Sequence, residues 1–146
     1  MTTIAFRDGI LAADRAIFDR DTYCGETLKI HRAGCGAIGG VAGCFGDAST
    51  FREWMTSLDG VDLSGPPNFE HENSEALFLT PDGQCFWIGP GKRWVQQHGP
   101  FFAIGSGFRI AMGALAAGAS AEQAVNICCD LDSYTRGPVD TLKLEG

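Results

Sequence analysis

The chain has 146 residues, a net charge of −7 and a pI near 4.8, with 45% of its residues apolar. That length suits a single domain over residues 1–146, large enough to bury a core without disulfide staples. No run of Lys/Arg exceeds two residues, which argues against a nucleic-acid partner, because phosphates demand a basic face.

The most apolar stretch, IAMGALAAGA, is too short to span a bilayer, so no membrane partner is expected. Six cysteines (Cys24, Cys35, Cys44, Cys85, Cys128 and Cys129) form no C-x-x-C pair and have no histidine at zinc-ligand spacing. No metal site is expected. With no signal peptide ahead of them, these cysteines read as reduced thiols of a cytoplasmic protein.

In chain order, TTIAFRDGILAAD reads as two short strands around Asp8-Gly9, the strongest short-range hairpin signal. TLKIHRA and GAIGGVAG read as a second strand pair. GDASTFREWMTSL reads as a helix, with Asp47 as N-cap and Phe51, Trp54, Met55 and Leu58 at helical spacing. DGVDLSGPPNFEHENS is rich in turn formers without periodicity, and is expected to be loop. EALFLTPDGQCFWIG reads as a hairpin around Asp82-Gly83, and GPFFAIGSG as an apolar strand closing on a glycine turn. FRIAMGALAAGAS is a small-residue helix ended by Gly118. SAEQAVNICCDLD follows as a helix whose Ser120 and Gln123 form a capping box, and PVDTLKL closes the chain as a strand. A DNA-reading helix pair in the last two helices is disfavoured, because Arg109 is their single basic residue. The order predicts an α+β fold of two stacked sheets flanked by helices, a four-layer αββα sandwich.

Thr2 and Thr3 run straight from Met1 into the first strand. A small residue after Met1 allows the methionine to be trimmed, leaving Thr2 as the N-terminus. A threonine hydroxyl is a weak nucleophile unless a base stands beside it, and an N-terminal threonine carries one on its own backbone. Its α-amine, with an ordinary pKa of about 7.7–8.0, can accept the hydroxyl proton near neutral pH. Such a site also needs a cation, a backbone N–H for the oxyanion, and polar groups that orient the amine.

Five segments in order, covering most of the chain, resemble the N-terminal-nucleophile hydrolases, in particular proteasome β-subunits and their bacterial relatives. TTIAF…DGILAADRA resembles the family's opening hairpin, which implies the nucleophile at Thr2 and the acidic residue at Asp14. LKIHRA resembles the segment of the catalytic lysine, at Lys29. AGCFGDA resembles the turn into the first helix, whose Gly43 supplies the oxyanion N–H. IGSG places the family's serine at Ser106, and LDSYTRGPVD places its amine-orienting pair at Asp132 and Thr135. Each segment has a plainer reading: a strand start, a surface lysine, a solvated turn pair, a tight turn, a helix cap. The three histidines, His31, His71 and His98, read as polar surface residues.

The resemblance implies a threonine peptidase that needs no cofactor and acts on peptides or unfolded protein as a homo-oligomeric ring. The alternative is a non-catalytic, ring-forming subunit with the same fold. It further implies a specificity pocket walled by Val41 and Ala16, with Lys29 at its floor, and hence cleavage after apolar residues. The chain departs from the family in a shorter opening hairpin and in having one helix where two precede the third strand pair. It is expected to be a compact form lacking one helix, and an ATPase partner is left open.

Overall fold

In a computed structural model, which describes residues 2–145, the chain forms mixed α+β structure in antiparallel sheets. Strands β1 (Thr3–Arg7) and β2 (Ile10–Ala13) are the expected hairpin. Its turn residues Asp8 and Gly9 have φ of 54° and 72°, the paired positive angles that match a tight turn to strand twist. β3 (Ala16–Asp19) and β4 (Thr22–Glu26) form a separate two-stranded hairpin that the sequence did not announce. Its turn uses Arg20 at φ 55° instead of a glycine, and a register shift interrupts the pairing at Ile17/Phe18.

β5 (Ile30–Arg32) and β6 (Ile38–Ala42) pair as expected and lead into α1 (Phe45–Ser57). The helix starts two residues before the predicted cap. Cys44 is the N-cap, its sulfur accepting from Asp47 N–H at 3.4 Å, while the Asp47 carboxylate turns inward to other donors. The segment between α1 and β7 (Glu75–Leu79) contains no helix or strand among the described residues, as predicted. β8 (Cys85–Ile88), the unpredicted edge strand β9 (Trp94–Gln97) and β10 (Phe101–Gly105) follow. The helices α2 (Phe108–Ala116) and α3 (Ala121–Leu131) precede the last strand, β11 (Asp140–Lys143). Ser120 and Gln123 make the predicted capping box.

One sheet has the order β10-β1-β2-β11 and the other β5-β6-β7-β8-β9. Alternate residues of each strand face opposite sides, and here both sides are apolar. Ile4, Phe6 and Leu11 of the first sheet join Ile38, Leu77 and Leu79 of the second in one buried cluster. Ala5, Ala12 and Ala103, on the other face of the first sheet, pack under Leu115 of α2 and Val125 of α3. Ala76 and Phe78, on the other face of the second, pack under Phe51 and Met55 of α1. Each fully buried Ile, Leu or Phe contributes about 1.5–3 kcal/mol by leaving water. β1, hydrogen-bonded on both edges and apolar on both faces, therefore anchors the segment that begins at Thr2. Among the described residues no helix is long and apolar enough to cross a membrane.

Candidate active site

Thr2 immediately precedes β1 and is 5% exposed. The end of β10 closes on it through Gly105, at φ +99°, where a Cβ would lie 1.9 Å from the Thr2 carbonyl oxygen. Only glycine allows both that angle and that approach. Thr2 N–H donates to Ser106 Oγ at 3.2 Å, and the Ser106 hydroxyl donates to Asp132 Oδ2 at 2.8 Å. Thr135 Oγ1 donates to the same carboxylate oxygen at 2.5 Å. A hydroxyl has one proton, so the 2.6 Å contact between Thr3 Oγ1 and Thr135 Oγ1 has Thr3 as donor.

Asp14 follows β2 and is fully buried. Its Oδ1 accepts from Lys29 Nζ at 3.0 Å and from Thr3 N–H at 3.1 Å. Its Oδ2 accepts from the backbone N–H of Arg136 at 3.1 Å and of Ala16 at 3.3 Å. A buried carboxylate is tolerated because this many donors meet it. Burial pushes the Lys29 ammonium pKa down, and the charge and hydrogen bond of Asp14 oppose that shift.

Gly43 lies at the turn from β6 into α1, exposed, at φ +148°. A Cβ there would meet Ser74 Oγ at 2.3 Å and Ser74 Cα at 2.7 Å, so Ser74 backs the glycine directly. Ser74 Oγ accepts from Cys44 N–H at 3.4 Å and donates to Asp47 Oδ2 at 2.7 Å. Asp47 also accepts from the N–H groups of Glu70 at 2.8 Å and His71 at 3.0 Å. Burial works against the charge on Asp47, yet the hydrogen bonds prevail and hold its carboxyl below the usual range.

A cavity of about 150 Å³ brings Thr2, Lys29, Val41 and Gly43 together. A second, of about 390 Å³, shares Gly43 and includes Ser106, Ser74 and Glu75. Asp132 and Thr135 reach Thr2 through Ser106. Ala16, expected on the pocket wall beside Val41, is buried and instead donates its N–H to Asp14. The removal of Met1 expected from the sequence falls outside the described residues.

The sequence assigns no site role to several residues that take part here. Thr3 ties β1 to both polar clusters, and Ser74 and Asp47 support Gly43. His31, expected at the surface, is half-buried and lines the first cavity with Arg52, so this pocket holds a cation besides Lys29. A signal for Arg52 was present: Phe45, Ala48, Ser49 and Arg52 are spaced i, i+3, i+4, i+7 and share one face of α1. His31 lies two residues beyond Lys29, the spacing that keeps side chains on one side of an extended chain.

No protein-family model matches the sequence, and no curated protein matches it. Solved structures do. BPH of Thiobacillus denitrificans in complex with epoxomicin is similar at a TM-score of 0.75 and 18% identity, over 99% of this chain and 99% of that one. A further structure of Thiobacillus denitrificans BPH gives 0.73 and 18%, over 99% and 98%. The likeness shows that this chain shares the fold of those structures, and at that identity it carries the fold alone.

Proposed function

We propose that the chain is a threonine peptidase with Thr2, once Met1 is removed, as nucleophile. The observation that carries this reading is the convergence on Thr2 of a buried Lys29–Asp14 pair and a Ser106–Asp132–Thr135 hydrogen-bond chain, with Gly43 across the same cavity. The three packing clusters fit a four-layer αββα sandwich.

In this scheme Thr2 Oγ attacks the scissile carbonyl carbon while the Thr2 α-amine takes the hydroxyl proton. The Gly43 N–H stabilises the negative charge that develops on the carbonyl oxygen. The Lys29 ammonium lowers the cost of charge at Thr2 Oγ, and Asp14 holds that lysine in place. The protonated amine then gives its proton to the departing amino group, leaving an ester on Thr2. Ser106, Asp132 and Thr135 orient the amine and a water, which hydrolyses the ester and restores the threonine. Val41 walls the substrate cavity, while Ala16 acts beneath it through Asp14. A structure of BPH in complex with epoxomicin supports the reading by its fold.

A homo-oligomeric ring belongs to the same proposal. Phe108, Ile127 and Leu131 leave 37%, 38% and 68% of their surface exposed on α2 and α3, whereas Ala111 and Cys128 pack on the chain's own sheet. Light scattering is expected to give a multiple of the subunit mass.

The test of function is hydrolysis of fluorogenic peptides by protein shown by intact mass to begin at Thr2. Thr2→Ala is expected to abolish turnover and to keep the fold, since it removes only a hydroxyl and a methyl. Turnover near the parent's would overturn the mechanism, and no turnover by the parent itself would favour the non-catalytic subunit.

A further inference from the structure

We infer that the cavity beside Thr2 selects an acidic substrate side chain through Arg52, with His31 beside it. The inference rests on the peptidase reading for what happens after binding, but its own basis is the charge of the cavity. Among the described residues the lining contains Lys29, His31 and Arg52 and no Asp or Glu, although the whole chain carries a net charge of −7. A basic wall on an acidic protein is a local feature, not a reflection of composition.

The three basic groups are not equivalent. Lys29 is matched by Asp14 at 3.0 Å and belongs to the nucleophile. Arg52 is exposed on α1, and among the described residues the ion pairs are those of Arg15 with Glu26 and Asp140 and of Lys29 with Asp14. Among those residues the guanidinium of Arg52 thus has no carboxylate partner. His31 and Arg52 line the same cavity, and burial first, with the charge of Arg52 after it, pushes the His31 pKa down. Two nitrogen-bearing side chains at the side of a small cavity can meet the oxygens of one carboxylate, and a guanidinium does so with paired parallel bonds.

The remaining lining weighs the alternatives. Val41, Leu28 and Phe45 offer apolar contact to any side chain that enters, so they favour no charge. A leucine would leave the Arg52 guanidinium partly covered and unanswered. A substrate arginine or lysine would meet like charge from Arg52 and Lys29 with no counter-charge on the wall. The sequence-based expectation of an apolar pocket rested on Val41 and Ala16 alone. Arg52, which α1 adds to the cavity lining, argues against it.

The experiment has two arms, so that failure of the pocket assignment and failure of the peptidase reading are told apart. In the first, protein confirmed by mass to begin at Thr2 is given peptides identical except for Glu, Asp, Leu or Arg before the scissile bond. Glu and Asp are expected to exceed Leu about five- to tenfold in kcat/KM, as a charge-assisted contact near solvent allows, with Arg the poorest. Arg52→Ala is expected to erase the ratio between Glu and Leu, and Arg52→Lys to keep most of it. In the second arm, Thr2→Ala protein is titrated calorimetrically with the same peptides, and the same order of affinity is expected. Equal or better handling of Leu in both arms, or a Glu advantage that survives Arg52→Ala, overturns the inference and leaves the nucleophile standing. Selective binding of the acidic peptides with no turnover of any peptide upholds the pocket and overturns the peptidase reading.

Discussion

The backbone nitrogen of Thr2 lies 3.2 Å from Ser106 Oγ, across 104 positions of sequence. The Ser106 hydroxyl donates to Asp132 at 2.8 Å, so its oxygen lone pairs face the Thr2 nitrogen. In the processed protein this contact would set the direction of the α-amine proposed as the base. Ser106→Ala is expected to lower kcat about 10- to 100-fold, less than the roughly 10²–10⁴ that an acid–base group itself supplies, because Ser106 orients the base and does not carry the proton. Ser106 is exposed, so the stability of Ser106→Ala should stay within about 0.5 kcal/mol of the parent. Unchanged kcat would remove Ser106 from the mechanism.

Lys29 and Asp14 form a buried pair with side chains 5% and 0% exposed. Lys29→Met keeps most of the apolar stem and removes the charge. Turnover is expected to fall about 10²–10³-fold, the usual effect of deleting one electrostatic group from a water-poor site. Asp14 would keep its three backbone donors, so the stability loss should be limited to about 1–3 kcal/mol. Kinetics and urea denaturation on the same preparation separate the two effects.

Gly43→Ala would place a methyl 2.3 Å from Ser74 Oγ, at a φ of +148° that side chains rarely adopt. The turn must move, and with it the N–H proposed to hold the oxyanion. Activity is expected to drop at least about 10²-fold with substrate affinity much less affected. Ser74→Gly in the same chain removes the side-chain clash. It leaves the methyl 2.7 Å from the backbone of residue 74 and leaves the strained φ, so it should restore little. Full rescue would show that the side chain of Ser74 alone makes glycine necessary.

Asp47 carries a lowered pKa although burial opposes its charge, because Ser74, Glu70, His71 and Cys44 donate to or support it. A carboxyl whose pKa falls on folding binds fewer protons folded than unfolded. Its contribution is therefore complete above the ordinary carboxylate range and is lost as pH drops below about 4. Asp47→Asn is expected to lose about 1–3 kcal/mol at pH 7 and to show a flatter acid limb. Denaturation midpoints between pH 7 and pH 3 check this, and parallel limbs in parent and variant would refute it.

Local chemistry in the sequence determined much of this molecule. Asp8-Gly9 specified the first hairpin because two adjacent positive φ angles are least costly there, and Ser120 and Gln123 specified a helix start because their side chains meet orphan N–H groups. The apolar runs IAF and EALFL specified strands buried on both faces, since each has apolar residues on both sides of the pleat. Thr2, Asp14, Lys29 and Ser106 were legible as a group only through the resemblance of their segments, in order, to a known family. The hairpin at Ala16–Glu26 was not, because its turn uses Arg20 at positive φ, where glycine would have been the signal, and the strand Trp94–Gln97 was not, because four residues ending in two glutamines carry no alternating apolar pattern. Asp47 looked like a helix cap because caps are local, whereas its true partners at 70, 71 and 74 come from a loop that carries no pattern of its own. The charge of the cavity was decided only by tertiary structure. Val41 and Lys29 come from the sheet side and Arg52 from a helix, and the distance between them exists only once that helix packs on the sheet through Phe51 and Met55.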